Sequence, residues 1–199
     1  RDVSGIIEKV GKNVKMLQVG DKVFSRIDES LVGTMAEYVV SNEADTALIP
    51  KNLSFSEAAS IPLAGLTVYQ SLIDVAQMSS KEKILIHAGA GGVGTIAIQL
   101  AKHLGANVTT TTSTKNIELV KKLGADKIVD YTKDNYLDDS SKFDVVYDTL
   151  GGKFTLDSFK VLKIGGRVVS IAGELDSITA KQLGLNKIIS FILALKARK

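Results

Sequence analysis

Lys83-Ile84-Leu85-Ile86-His87-Ala88-Gly89-Ala90-Gly91-Gly92-Val93-Gly94, followed by Thr95-Ile96-Ala97-Ile98-Gln99-Leu100-Ala101-Lys102, is the stretch on which the reading of this chain turns. An apolar run of strand length enters a literal G-x-G-x-x-G, and a helix-like pattern leaves it. In that setting each glycine has a physical task. The first permits a tight turn, the second lets a pyrophosphate approach the backbone, and the third lets strand and helix pack closely. The N-terminus of the following helix then points at the phosphates. The pattern predicts dinucleotide binding by Gly89, Ala90, Gly91, Gly92, Val93 and Gly94, the alternative being a purely structural glycine turn. A Walker A loop fails, because Thr95 stands where its lysine belongs.

Working outward, strand-like runs at Lys83 to His87, Asn107 to Thr111, Lys127 to Asp130, Phe143 to Thr149 and Arg167 to Ile171 alternate with helix-like ones. The helical patterns cover Ser56 to Ala76, Val93 to Leu104, Asn116 to Leu123 and Thr155 to Leu162, with Gly105 and Gly124 where C-caps belong. This alternation predicts an α/β fold, a doubly wound parallel sheet of Rossmann type. Ahead of it, Val3 to Ile49 has a different texture. Apolar runs such as Val3 to Val10 and Tyr38 to Val40 are punctuated at Gly11, Gly20-Asp21 and Gly33, which suggests short antiparallel strands. The expected boundary lies at Pro50, giving a β-rich unit over 1–50 and a nucleotide-binding domain over 51–199.

Charge distinguishes the two dinucleotides. An NAD site wants a carboxylate about 20 residues past the first glycine, at the end of the second strand. Here that strand runs into Thr110-Thr111-Thr112-Ser113-Thr114-Lys115-Asn116, and the first acidic residue after Asn107 is Glu118. Ser113 as a donor and Lys115 as a point charge suit a 2′-phosphate instead, so NADPH is favoured. The plainer reading makes the threonines good strand formers and Lys115 a solvated helix-start residue. Thr149, Ile171 and Gly173, at the ends of the fourth and fifth strands, are placed to line the cofactor cleft; ordinary turn chemistry is the competing account of the glycines there. Tyr131 follows the third strand and either covers the adenosine side or is a rim or core residue.

The remaining features exclude more than they assign. With 199 residues, 45% hydrophobic and 24% charged, the chain is long enough for a full core. It contains no cysteine, so disulfides and thiolate metal sites are out, and a reducing, cytoplasmic setting fits. A net charge of +3 is too mild to suggest nucleic acid or a membrane surface. The run Ile188 to Leu195 is far shorter than the roughly 20 residues that span a bilayer. Neither His87 nor His103 has a partner at metal-ligand spacing, so both read as structural and no metal site is expected. No tyrosine has lysine four residues later and no serine sits in a G-x-S-x-G elbow. The Lys-rich end, Lys187 to Lys199, reads either as a partner-facing helix or as one cut off from its own domain. The first residue is Arg1, and the chain is expected to be an internal piece of a longer protein.

Several stretches together carry a resemblance: Asp2-Val3-Ser4-Gly5 with Val10-Gly11, Val19-Gly20-Asp21-Lys22-Val23, Ala36-Glu37-Tyr38, and Ala58-Ala59 through Pro62 to Gly65-Leu66-Thr67. Further on come His87 to Gly94, Gly124-Ala125-Asp126 and Val145-Val146-Tyr147-Asp148. The chain resembles the zinc-independent quinone oxidoreductase branch of the medium-chain dehydrogenase/reductase superfamily. The resemblance implies part of a GroES-like catalytic domain followed by a Rossmann domain, with hydride transfer from NADPH to a quinone or α,β-unsaturated carbonyl in the cleft between them. It places the threonine matching Thr67 beside the nicotinamide and gives Ser113, Lys115 and Tyr131 the adenosine 2′-phosphate end. It also implies a homodimer. Zinc members carry Gly-His-Glu-x-x-Gly where Arg1 and Asp2 stand here, and their zinc lobe would fall between Val23 and Ala36, which holds no cysteine. A non-catalytic NADPH-binding sensor or structural protein is the alternative, with a zinc alcohol dehydrogenase behind it. Because the family's upstream segment and last third are missing, the isolated piece is expected to be poorly active.

Overall fold

The structure, a computed structural model, describes residues 1–28, 30–31, 33–138 and 142–172. It divides into two compact units, Arg1–Gln77 and Met78–Lys199.

The first unit is built on a three-stranded antiparallel sheet of β1 (Asp2–Ile6), β2 (Lys22–Arg26) and β3 (Thr46–Leu48), with β2 in the centre. Short strands and turns are what the interrupted apolar pattern predicts, but two of its runs behave differently. The strand within Val3 to Val10 ends at Ile6, with Ile7 still hydrogen-bonded to Gly20 and Asp21, and Tyr38 to Val40 forms no strand. Tyr38 and Val40 are 73% and 75% exposed, so the apolarity there does not report burial within this unit. The helix expected over Ser56 to Ala76 is broken into α1 (Phe55–Ala59), α2 (Pro62–Tyr69) and a π-helix (Gln70–Val75). Pro62 at the first position of α2 lacks an N–H and restarts the helix. Ser54 and Glu57 form a reciprocal capping box ahead of α1. Both α-helices lie against β1 and β2, so the segment after Pro50 packs with the first unit as far as Gln77.

Among the described residues the second unit has five parallel strands: β4 (Lys83–Ile86), β5 (Asn107–Thr112), β6 (Lys127–Asp130), β7 (Phe143–Asp148) and β8 (Leu162–Ser170). Their order is β6-β5-β4-β7-β8, so the chain reverses direction across the sheet at β4 and β7. Three helices make the crossovers: α3 (Gly92–His103), α4 (Ile117–Lys122) and α5 (Lys153–Val161). Right-handed crossovers place α3 and α4 on one face and α5 on the other, the doubly wound arrangement. Gly105 and Gly124, with φ of 82° and 105°, follow the ends of α3 and α4 in the left-handed conformation expected of helix-terminating glycines. β8 begins at Leu162, before the expected Arg167, through an irregularity opposite Phe143 to Val145. Leu85, Val129, Tyr136, Phe143, Val146 and Val161 form a buried cluster in which sheet residues meet α5. Gly173 and the stretch Lys187 to Lys199 lie outside the described residues.

Candidate functional site

The turn between β4 and α3 is shaped by space that glycine alone leaves free. A Cβ on Gly94 would overlap Ala88 O and come within 2.7 Å of Gly89 Cα; one on Gly89 would overlap Thr110 Oγ1 and stand 3.0 Å from Ile98 Cδ1. Both obstacles at Gly94 are backbone, so the contact cannot be relieved by turning a side chain. Ala88 itself is left-handed at φ 51°, a strained setting for a residue with a Cβ. It is held there by three hydrogen bonds: Ala88 N–H donates to Thr111 Oγ1 (3.0 Å), Gly89 N–H to Thr111 O (2.9 Å), and Gly91 N–H to Ala88 O (2.9 Å). Thr110 Oγ1 donates to Ile86 O (2.7 Å) from the same strand. The threonine run therefore anchors the glycine turn as well as forming β5, a role the sequence reading missed.

Gly91 is the N-cap of α3 and supplies no side-chain acceptor, so the first-turn N–H groups of Gly92, Val93 and Gly94 have no cap. No atom lies within 4 Å of a Cβ built on Gly92. An open cradle of backbone donors at the positive end of a helix dipole fits an anionic pyrophosphate. Ala90 lies in the same turn, half-buried.

Ser113, Lys115 and Tyr131 come together at the ends of neighbouring strands. Thr112 is in register with Asp130, and Tyr131 N–H donates to Thr112 O (3.0 Å), so the residues just beyond β5 and β6 leave the sheet side by side. Ser113 precedes a 3-10 turn (Thr114–Asn116) that carries Lys115, and Asn116 Nδ2 donates to Ser113 Oγ at 3.3 Å. Lys115 and Tyr131 are exposed, and no acceptor among the described residues holds the Lys115 ammonium. Tyr131, Thr132, Lys133, Asp134, Asn135 and Asp138 line a cleft of about 420 Å³.

Thr149 and Ile171 also lie at this carboxyl edge. Thr149 Oγ1 donates to His87 O (2.9 Å), joining the end of β7 to that of β4, and Ile171 N–H donates to Asp148 O (3.0 Å). Asp148 is the organising group. Fully buried, it accepts from Leu150 N–H (2.9 Å), Gly151 N–H (3.0 Å), Ser170 Oγ (2.9 Å) and Thr155 Oγ1. Burial pushes its carboxyl up, but the bonds from Thr155, Gly151, Leu150 and Ser170 outweigh it and hold the group below the ordinary carboxylate value.

His87 is buried and structural in its contacts. Its ring meets Tyr136 at 4.8 Å and Phe154 at 5.9 Å, both edge-on, and Nε2 lies 3.4 Å from Ser158 Oγ. Ser158 already donates its hydroxyl hydrogen to Phe154 O, so Nε2 carries the imidazole proton and Nδ1 is left as a bare lone pair. Burial lowers the His87 pKa against an opposing pull from Asp148. Burial likewise pushes the Tyr136 phenol up to about 12, with Asp157 and Asp148 adding to it.

In the first unit, Thr67 sits half-buried on α2 and donates to Leu63 O (2.8 Å), so its oxygen is left to act as an acceptor. Asp2 Oδ2 accepts from Leu63 N–H (3.2 Å) in the first turn of that helix, favourable for a carboxylate against the helix dipole. Arg1 donates to Asp28 O (3.2 Å). A cleft of about 740 Å³ also lies in this unit, beside β1, Ile7 to Gly11 and Ala36 to Ser41.

Two family descriptions match the chain: "Alcohol dehydrogenase GroES-like domain" over residues 1–51, and "Zinc-binding dehydrogenase" over residues 92–194, which is more than half of it. The chain belongs to the medium-chain dehydrogenase/reductase superfamily. Within the superfamily it is 48% identical over 181 residues to the 2-methylene-furan-3-one reductase of Solanum lycopersicum, covering 86% of this chain and 46% of the relative. It is 43% identical to the chloroplastic NADPH-dependent alkenal/one oxidoreductase of Arabidopsis thaliana, again over 86% and 46%. The solved quinone oxidoreductase of Coxiella burnetii superposes with a TM-score of 0.79 at 34% identity, covering 95% of this chain and 66% of that one. The chain spans about half the length of the curated relatives it matches.

One family description names zinc, yet the residues present do not fit that ion. There is no cysteine, and among the described residues no three His, Asp or Glu side chains are grouped to hold a metal. Arg1 and Asp2, where zinc members have histidine and glutamate, are engaged with Asp28 and α2. No helix among the described residues is long and apolar enough to cross a membrane.

Proposed function

We propose that this chain is the cofactor-binding part of an NADPH-dependent reductase that delivers hydride to a quinone or an α,β-unsaturated carbonyl without zinc. The observation that carries this reading is the uncapped N-terminus of α3 behind a turn closed to side chains, on the same sheet edge as Ser113, Lys115 and Tyr131. The named activities of the relatives support it.

In this reading the backbone N–H groups of Gly92, Val93 and Gly94 hold the pyrophosphate, with Gly89 and Ala90 shaping the approach and Gly91 leaving it clear. Lys115 faces the 2′-phosphate as a point charge, Ser113 donates to it, and Tyr131 walls the adenosine end. Thr149 and Ile171 line the nicotinamide side. Thr67 acts as a positioning group whose oxygen accepts. When bound, NADPH supplies a hydride, and a proton from solvent completes reduction of the enone to the saturated carbonyl. For a quinone, one hydride and one proton give the hydroquinone. Polarisation of the carbonyl falls to hydrogen bonds. We extend the proposal to a homodimer, tested by sedimentation, and to a cytoplasmic protein, tested by fractionation, with chloroplast or mitochondrion as the outcome against it.

The test is oxidation of NADPH and of NADH, followed at the cofactor's absorbance, against a panel of quinones and short enones with a chelator present. Chelator-resistant, NADPH-preferring turnover is expected. Tight NADPH binding without turnover on any acceptor would favour a sensor or structural protein instead. Lys115→Ala should weaken NADPH by about tenfold and leave NADH within about twofold; equal losses would refute the 2′-phosphate assignment.

A further inference from the structure

Asp130 ends β6, beside the end of β5 where an NAD site would place its ribose-binding carboxylate. Its carboxylate is almost fully enclosed, with 6% of the side chain exposed, and both oxygens are engaged. Oδ2 accepts from Thr114 Oγ1 at 2.5 Å, on the turn that carries Ser113 and Lys115. Oδ1 accepts from Thr132 Oγ1 (2.7 Å) and Thr132 N–H (3.1 Å), immediately after Tyr131. The two hydroxyl oxygens stand 3.1 Å apart, so the loops meet in a small ring of oxygens held by the carboxylate, to which each hydroxyl already gives its one hydrogen. The peptide oxygen of Asp130 accepts from Lys133 N–H (2.9 Å) and Asp134 N–H (2.8 Å), which turns the second loop back. Lys133 Nζ stands 3.7 Å from Oδ2.

We propose that Asp130 is a positioning residue that sets NADPH specificity by tying the Ser113–Lys115 turn to the Tyr131 loop. This rests on the assignment of those three residues to the 2′-phosphate. The geometry acts in two ways. Without the tie, the 3-10 turn and the 131–135 loop keep the Tyr131–Thr112 backbone bond and the Thr114–Thr132 hydroxyl contact but lose the carboxylate that fixes both hydroxyls, and the frame shared by the lysine, serine and tyrosine loosens. Because both carboxylate oxygens already accept from Thr114 and Thr132, Asp130 also has little capacity left to accept from the 2′-OH of an NAD ribose. A carboxylate beside a phosphate site is thereby turned from a repulsive neighbour into a brace, with Lys133 offsetting its charge.

Charge and brace predict opposite signs. Asp130→Ala removes both; if only the negative charge mattered, NADPH would bind more tightly. The brace predicts that NADPH weakens about fivefold to tenfold while NADH changes less than about twofold. Asp130→Asn removes the charge but keeps the ring, since its amide can donate to Thr114 and its oxygen can accept from Thr132; NADPH preference should stay at or above that of the parent. Thr114→Val, at an exposed position, cuts one arm and should lower the NADPH-to-NADH preference about threefold even if Asp130→Ala fails to fold. The experiment is titration of the full chain with NADPH and NADH, with thermal unfolding of each variant alongside. An unchanged or increased NADPH preference in Asp130→Ala, equal losses for both cofactors, or an unchanged preference in Thr114→Val would overturn the proposal. Lys115→Ala separates it from the reading beneath it. If that variant leaves the preference unchanged, the 2′-phosphate assignment falls and the brace with it; if it lowers the preference while the Asp130 and Thr114 variants do not, only the brace falls.

Discussion

Two turns on the same edge of the parallel sheet are built in opposite ways. The turn after β4 closes because side chains are missing: Gly94 and Gly89 let backbone meet backbone and Thr110. The turn after β7 closes because one side chain is present, Asp148, which gathers two backbone N–H groups and two hydroxyls. The first mechanism is one of excluded volume and leaves donors open to a ligand. The second is one of saturation and leaves its acceptor no free capacity. A ligand-facing turn and a bracing turn can therefore be told apart by whether their polar groups are already satisfied.

The contrast breaks most sharply at Gly94. Gly94→Val puts a branched side chain against Ala88 O and Gly89 Cα and should destabilise the fold by about 3 kcal/mol or more, read by urea unfolding. A loss under about 1 kcal/mol would mean the turn has room to spare. Asp148→Ala comes next. It strands the N–H groups of Leu150 and Gly151 together with the Thr155 and Ser170 hydroxyls, for a loss of about 2 to 3 kcal/mol. Because the Asp148 pKa is lowered by folding from its ordinary 3.8, its contribution is present above that pH and is lost as pH falls through the folded value. The parent should thus lose stability steeply in acid, and the alanine variant less so.

His87 sharpens the comparison between these turns, since it lies between them. Folding depresses its pKa below the ordinary 6.5. As pH drops through 6.5 the unfolded chain takes up a proton that buried His87 refuses, so stability should decline by up to about 1.4 kcal/mol per pH unit until the folded value is reached. His87→Leu should flatten that slope in unfolding midpoints measured between about pH 5 and 7; an unchanged slope would place the titration elsewhere. The smallest effect is expected at the other edge of the sheet. Lys102 bridges Asp126 at 2.8 Å and donates to Ala106 O, but it is about a third exposed and braces no ligand-facing turn. Lys102→Met should cost only about 0.5 kcal/mol by thermal unfolding.

Much of the second unit was legible in advance because β4, β6 and β7 carry short apolar runs, β5 a run of β-branched threonines, and glycines mark the turns and helix ends between them. The first unit was less legible. Its helical pattern over Ser56 to Ala76 hides the restart at Pro62, and the apolar Tyr38 to Val40 reads as a strand although it pairs with nothing there. Within the candidate site, Ser113, Lys115 and Tyr131 could be named singly. Asp130 is not legible from β5 alone, because the carboxylate that reaches the Ser113–Lys115 turn stands at the end of the neighbouring strand. The signal was there: Thr112 and Asp130 end successive strands, and both are followed by hydroxyl-bearing residues.

By itself the sequence determined what depends on local geometry and spacing: the strand–turn–helix unit at Gly89 to Gly94, the alternation that makes the sheet parallel, and the missing carboxylate after β5. The tertiary structure alone decided which polar groups are already engaged. Thr111 holds Ala88, Asp148 serves Thr155 and Ser170, and Asp130 joins Thr114 to Thr132. The physical reason is that steric exclusion around a glycine leaves its mark in the neighbouring sequence. A hydrogen bond between β5 and β6 depends on the register that brings Thr112 opposite Asp130, and register is a property of the folded sheet.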